Sequence, residues 1–229
     1  MKDYPSHFAA EFVGTFALVF VGGGAIAAAQ ATQMSAGLIA IALAHGIILA
    51  VAVSATMRIS GHLNPAITIG LLVVRRIDAM MAGVHVVAQL VGAVLAAYAL
   101  KVLLPVSLTA ATRLGGQSVS LETSTMQAIG LEAIATFFLA FVVFGTAVDS
   151  KGPRIGGLAI GATLAAGILA IGPFTGGSLN PARSFGPALV SGVFEGHAVY
   201  WIGPILGSVL AALLYEFVLL RREPAAAAK

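Results

Sequence analysis

Two short stretches carry residue types that can act on a small polar molecule: Ser60–Thr68, SGHLNPAIT, and Gly176–Pro187, GGSLNPARSFGP. Each contains Asn-Pro-Ala, as Asn64-Pro65-Ala66 and Asn180-Pro181-Ala182. Asn is a strong N-cap, and Pro at the first helical position loses no needed N–H while its fixed φ suits the helix. Each triplet therefore predicts a helix start, with an amide left over that can donate to a ligand. Only ten or so apolar and small residues follow each start, about 15 Å of helix, roughly half the hydrocarbon thickness of a bilayer. In an apolar chain, such half-helices are expected to meet end to end, with their Asn-capped, positive ends facing each other at mid-membrane. Arg183 stands directly after the second triplet, where a cation opposes the helix dipole and an intramembrane charge is costly. That cost is reasonable for a donor to a polar permeant; the alternative is a structural ion pair.

The medium follows from composition. Of 229 residues, 59% are hydrophobic and 9% charged, against about 25% charged in a soluble domain. The chain reads as an integral, multi-pass membrane protein. With no cysteine there is no disulfide framework, thiolate metal site or cysteine nucleophile. The net charge of +3 reads as loop charge and not as a nucleic-acid footprint. Spans are predicted at Phe8–Ala29, Gly37–Met57, Met81–Leu104, Gln127–Val148, Gly156–Gly172 and His197–Leu220. The first is long for a cleavable signal and reads as retained. The half-length stretches follow the second and fifth spans, with the non-helical segments Ile59–Leu63 and Pro173–Leu179 leading into them.

Loop charges favour re-entrant half-helices. With both termini cytoplasmic, Lys2, Arg75, Arg76, Lys151, Arg154, Arg221, Arg222 and Lys229 fall inside and Arg113 outside. Full crossings would export Arg75, Arg76, Lys151 and Arg154, against the positive-inside rule. The two halves, about 1–104 and 127–222, also repeat. Glu11-Phe-Val-Gly-Thr15 and Glu132-Ala-Ile-Ala-Thr136 occupy the same place in each, and three spans per half make the repeat inverted. Non-helical backbone at the midplane must be buried in protein or line a cavity. Glu11 and Glu132 are expected to hold the two loops by accepting hydrogen bonds.

These motifs together resemble the aquaporins of the major intrinsic protein family over essentially the whole chain, read as one domain, 1–229. The resemblance implies an all-α membrane fold, a right-handed bundle of six transmembrane helices plus two re-entrant half-helices. It implies a homotetramer in the lipid bilayer with a pore in each subunit. Glycerol channels of the family carry Asp, a basic residue and Pro followed by an aliphatic residue where this chain has Ser184, Ala188 and Tyr200-Trp201. All four positions resemble the water class. The family's narrowest point corresponds to His45, Ile168, Gly177 and Arg183, a set similar to the tonoplast group of plant aquaporins, including members that conduct ammonia. Those members also use a His between the third and fourth spans, and Pro105–Thr125 has none. His45 otherwise reads as an interhelical histidine. His62 reads either as a loop anchor or as lining the cytoplasmic vestibule, and His7, His85 and His197 as interfacial.

The implied activity is passive water permeation that excludes ions and protons, with ammonia or other small neutral solutes as further permeants. Coupling ions and cofactors are not required. The alternatives are a glycerol facilitator and, in a different class, a secondary transporter, which should carry acids near the broken helices. Glu11, Glu132 and Glu216 lie away from Asn64 and Asn180 in sequence, and no metal-ligand cluster or nucleophile–base pair is evident, so no enzyme is expected. Short tails and loops fit a prokaryotic cell membrane. Water flux should resist mercurials, which seek thiolates, whereas Gly177→Cys should make it sensitive in vesicle permeability assays. A conducting but insensitive variant would remove Gly177 from the constriction.

Overall fold

The computed structural model describes residues 3–35 and 37–220. Lys2, Arg221, Arg222 and Lys229 lie outside the described residues. Six helices are long and apolar enough to cross a membrane. They are α1 (Tyr4–Thr32), α2 (Gly37–Thr56), α4 (Ala79–Leu103), α6 (Thr125–Val143, extended by a π-helical turn to Val148), α7 (Gly156–Thr175) and α9 (Val199–Leu214, with a π-helical turn to Leu219). Between them lie the half-length helices α3 (Pro65–Val73) and α8 (Pro181–Ser191), and the short α5 (Val106–Ala111). Among the described residues the fold is all-helical.

Local chemistry sets the boundaries. α1 begins earlier than the apolar run, because the Asp3 side chain accepts from Ser6 N and Pro5 occupies the first turn. α7 runs through Pro173 to Thr175 instead of stopping at Gly172. A proline in the last turn forfeits one hydrogen bond while its φ remains helical. Gly176, in the left-handed region at φ 82°, then ends the helix. The second non-helical loop is therefore Gly176–Leu179, shorter than expected. Asn64 and Asn180 cap α3 and α8, their Oδ1 atoms accepting from Ala66 N and Ala182 N.

The helices pair as a repeat would: α1 with α4 and α6 with α9, α1 with α2 and α6 with α7, α4 with α8 and α9 with α3. α2 and α7 join the halves. On the face where α1 begins, here the N-terminal face, Arg76 forms a bidentate pair with Glu216 at 2.9 and 3.0 Å. Arg76 follows α3 and Glu216 ends α9, so α3 returns to the side from which it entered. Arg58, not placed by the sequence reading, joins Arg75, Arg76, Lys151 and Arg154 in connections on that face. Arg113 lies on the far face. Outward positions such as Val13, Ile47, Val87, Phe138 and Leu158 are exposed and apolar, a surface suited to lipid and costly in water.

Close crossing of α2 and α7 requires glycine. A Cβ on Gly161 would lie 2.6 Å from Ala50 Cβ, and one on Gly46 would lie 2.6 Å from the Gly161 carbonyl. Gly161→Val should therefore cost about 1–3 kcal/mol by overpacking, seen as a lower unfolding temperature in detergent. An unchanged temperature would mean that the crossing has slack.

Candidate functional site

Both Asn-capped ends lie at the centre of the bundle, and each half-helix reaches across to the other. Asn64 Nδ2 donates to Leu179 O at 2.8 Å, and Asn180 Nδ2 donates to Leu63 O at 2.8 Å. These two loop carbonyls therefore accept from protein and not from a permeant. Leu63 and Leu179, fully buried, hold φ of 49° and 55°. Such left-handed conformations in non-glycine residues cost about 1–3 kcal/mol each. They turn each chain from loop into cap.

The two glutamates hold the loops. Glu132 accepts from Ser178 N at 2.9 Å, Leu179 N at 2.7 Å and the Thr175 hydroxyl at 2.7 Å. Glu11 accepts from His62 N at 2.8 Å, Leu63 N at 2.7 Å, Gln89 Nε2 at 2.6 Å and the Ser60 hydroxyl. Both carboxylates are fully buried, so each N–H exchanged a water for a charged acceptor.

A narrow cavity passes the paired ends. His62, Asn64, Asn180, Arg183 and His45 supply polar groups, while Leu18, Leu49, Ile67, Leu139, Val143, Ile160 and Leu164 supply apolar wall. Arg183 is held twice: Nη1 donates to Gly115 O at 2.9 Å and Nη2 to His45 Nε2 at 2.9 Å. His45 Nδ1 lies 2.8 Å from Ile41 O. That carbonyl accepts only, so Nδ1 carries the hydrogen and Nε2 is free to accept from the guanidinium. His45 is thus both an interhelical histidine and a cavity residue. Gly22 of α1 leaves room for its ring, since a Cβ there would collide with the imidazole.

Ile168 is buried beside Gly177: a Cβ on Gly177 would lie 3.1 Å from Ile168 Cα and 3.3 Å from its Cγ1. Gly177 also holds φ 60°, so a cysteine there is strained as well as crowded. The four class-marking residues stand behind the wall. Ser184 bonds Ser178 through their hydroxyls, Tyr200 donates to Thr175 O at 2.8 Å, and Ala188 is buried. Trp201 Nε1 donates to His197 Nε2 at 3.1 Å. His197 lies outside the spans, and burial pushes its pKa below the ordinary histidine value.

Two expectations need correction. His85 is not interfacial: it is 1% exposed and packs on His7 and His62. A metal-ligand constellation also exists, because Glu11, His62 and His85 bring donor atoms within 4.8 Å of one another. Separations of 51 and 23 residues hid it. Sequence reasoning also missed Gly115, whose carbonyl holds Arg183. The available signal was Gly115-Gly116 opposite Gly22-Gly23-Gly24: a Cβ on Gly23 would meet the Leu114 carbonyl at 2.9 Å.

Known proteins match the chain in sequence and in fold. A model of the major intrinsic protein family, "Major intrinsic protein", matches residues 2–215. Aquaporin TIP1-2 of Zea mays is 44% identical over 224 residues, covering 94% of this chain and 86% of that protein. Aquaporin TIP2-1 of Arabidopsis thaliana is 44% identical over 217 residues, covering 91% and 85%. The X-ray structure of the aquaglyceroporin from Plasmodium falciparum matches with a TM-score of 0.81 at 27% identity, covering 95% of this chain and 98% of that one. The plant relatives give no support to a prokaryotic cell membrane, and that expectation is not carried forward.

Removing the Glu132 carboxylate strands two backbone N–H groups and a hydroxyl in a buried site, at about 1–3 kcal/mol for each lost partner. Glu132→Ala should lower the unfolding temperature in detergent sharply, and Glu132→Gln, which keeps one acceptor oxygen, by less. Equal losses would mean that the carboxylate charge, not its acceptor geometry, holds the loop.

Proposed function

The chain belongs to the major intrinsic protein family, and on that premise we propose that it is an aquaporin, a passive water channel whose pore passes Asn64 and Asn180. It is an integral multi-pass membrane protein and not an enzyme. The observation that carries the reading is the reciprocal arrangement of the two asparagines in the wall of one cavity. A primary amide has two N–H donors. Each asparagine spends one on the opposite loop, leaving one for a water. A water that accepts from both must turn its own hydrogens outward in both directions, so it cannot relay a proton along the file. The facing positive helix ends and Arg183 raise the barrier to cations.

We place the selective aperture at His45, Ile168, Gly177 and Arg183. Arg183 is drawn towards His45 and Gly115, and Ile168 with Gly177 supplies a wall lacking a polar side chain. This supports passage of ammonia and other small neutral solutes alongside water, with glycerol slow. Ser184, Ala188, Tyr200 and Trp201 support the preference for water, by setting the backbone behind the aperture. We read residues 1–229 as one domain with inverted repeats about 1–104 and 127–222, the N-terminal face as cytoplasmic, and the assembly as a homotetramer in the bilayer. The glycerol and secondary-transporter alternatives are not favoured: the relatives at 44% identity are aquaporins. Glu11 and Glu132 are occupied with the loops.

Stopped-flow light scattering on reconstituted vesicles tests this. Osmotic water permeability should rise well above that of empty vesicles, without proton conductance; permeability equal to empty vesicles would remove the channel. Ile168→His should narrow the aperture and add a donor, lowering ammonia flux by a larger factor than water flux. An unchanged ammonia-to-water ratio would mean that Ile168 does not border the aperture.

A further inference from the structure

The cluster at Glu11 holds more than its loop needs, and the repeat supplies the comparison. Glu132 secures the second loop with two backbone N–H groups and one hydroxyl. Glu11 has the equivalent partners in His62 N, Leu63 N and Ser60. Two imidazoles are added around it. His62 stands where the second loop has Ser178, and His85 comes from α4. His85 Nδ1 lies 3.1 Å from His62 Nδ1 and 3.9 Å from Glu11 Oε1.

These separations suit a metal ion. A tetrahedral zinc with bonds of about 2.0–2.1 Å sets its donors roughly 3.3–3.4 Å apart, between the two values observed. His85 Nε2 lies 3.0 Å from His7 Nδ1. A hydrogen on Nε2 donated to His7 leaves the His85 Nδ1 lone pair directed at His62, the outer-shell arrangement that orients metal-binding histidines. His62 Nδ1 also lies 3.1 Å from the Thr68 hydroxyl, which is its alternative partner when no ion is bound. Glu11 is fully buried, and its hydrogen bonds from His62 N, Leu63 N, Gln89 Nε2 and the Ser60 hydroxyl all come from neutral donors. A dication would meet an uncompensated carboxylate there, once the Ser60 hydroxyl turns away from Oε1 and His62 Nδ1 gives up the Thr68 hydroxyl. His62 lines the cavity, which would give the ion a route in.

We propose that Glu11, His62 and His85 form a binding site for a borderline divalent metal ion of the zinc class at the N-terminal mouth of the pore, and that the bound ion obstructs water passage. The second part rests on the water-channel reading. Imidazole with one carboxylate favours zinc, copper and nickel over magnesium or calcium.

Zinc is titrated into the full-length protein in detergent by calorimetry, and water flux is measured in vesicles with zinc or a chelator on both sides. One zinc per chain should bind, flux should fall severalfold, and chelator should restore it. His85→Phe and His62→Ser, the latter copying Ser178, should each lose both binding and inhibition, every variant being compared with itself in chelator. His197→Ala, on the far face, should lose neither. Calcium should have no effect. Absence of zinc binding, or binding that survives both substitutions, would overturn the site, and binding without inhibition would overturn its placement at the pore mouth. Flux in chelator judges the channel reading separately. A protein that conducts in chelator and ignores zinc loses only the site, and one that conducts nothing loses the channel while the titration still decides the site.

Discussion

Everything in this fold answers to one constraint: irregular backbone lies at the depth of a bilayer's midplane, where no lipid can satisfy it. Four loop N–H groups, at His62, Leu63, Ser178 and Leu179, are taken by two buried carboxylates. Two loop carbonyls, at Leu63 and Leu179, are taken by the asparagines of the opposite half. Neither half can satisfy its own loop completely, so the halves are interdependent at their centre. The second hydrogen of each asparagine is left over, and it is polar chemistry available to a pore. Function here is what backbone satisfaction leaves over.

The same economy explains how a guanidinium is kept in the wall. Arg183 sits in the first turn of a helix, where the dipole disfavours it, and it is 4% exposed. Its position is held by a carbonyl from the Arg113–Gly115 turn and a ring nitrogen from α2, two acceptors without charge. A carboxylate partner would have neutralised it and removed its repulsion of cations. Neutral acceptors hold the group in place and leave its charge free to act on the proposed pore.

Much of this was legible in the sequence because it rests on local rules. Asn-Pro marks a cap and first turn wherever it occurs, and the repeated Glu-x-x-x-Thr announced paired loop anchors. The helix ends were less legible: Pro173 reads as a stop, yet in the final turn it costs only one hydrogen bond, so α7 continued. Contacts between distant segments were not legible at all. Nothing local to Gly115 says that its carbonyl holds Arg183, because the turn reaches that place only when Gly23 lets it approach. His85 reads as interfacial from its position near a helix end, and only the packing of α1, α4 and the first loop buries it against His62.

The repeat also separates what the fold requires from what selectivity requires. Gly46 and Gly161 contact each other reciprocally, as mates across a pseudo-two-fold axis do. The offset that relates them pairs His45 with Ile160, Leu49 with Leu164 and Val53 with Ile168. The asparagine offset, one residue longer, pairs Gly177 with Gly61 and Arg183 with Ile67. Caps, glutamates and strained leucines occur in both halves, so they belong to the frame. The polar members of the proposed aperture, His45 and Arg183, have isoleucine as mates. On the N-terminal side the difference runs the other way, with His62 opposite Ser178. A frame symmetrical in its hydrogen bonds thus carries two chemically unequal mouths. A guanidinium held by neutral acceptors borders one, where cations would be repelled, and imidazoles around a buried carboxylate border the other, where a cation would be attracted.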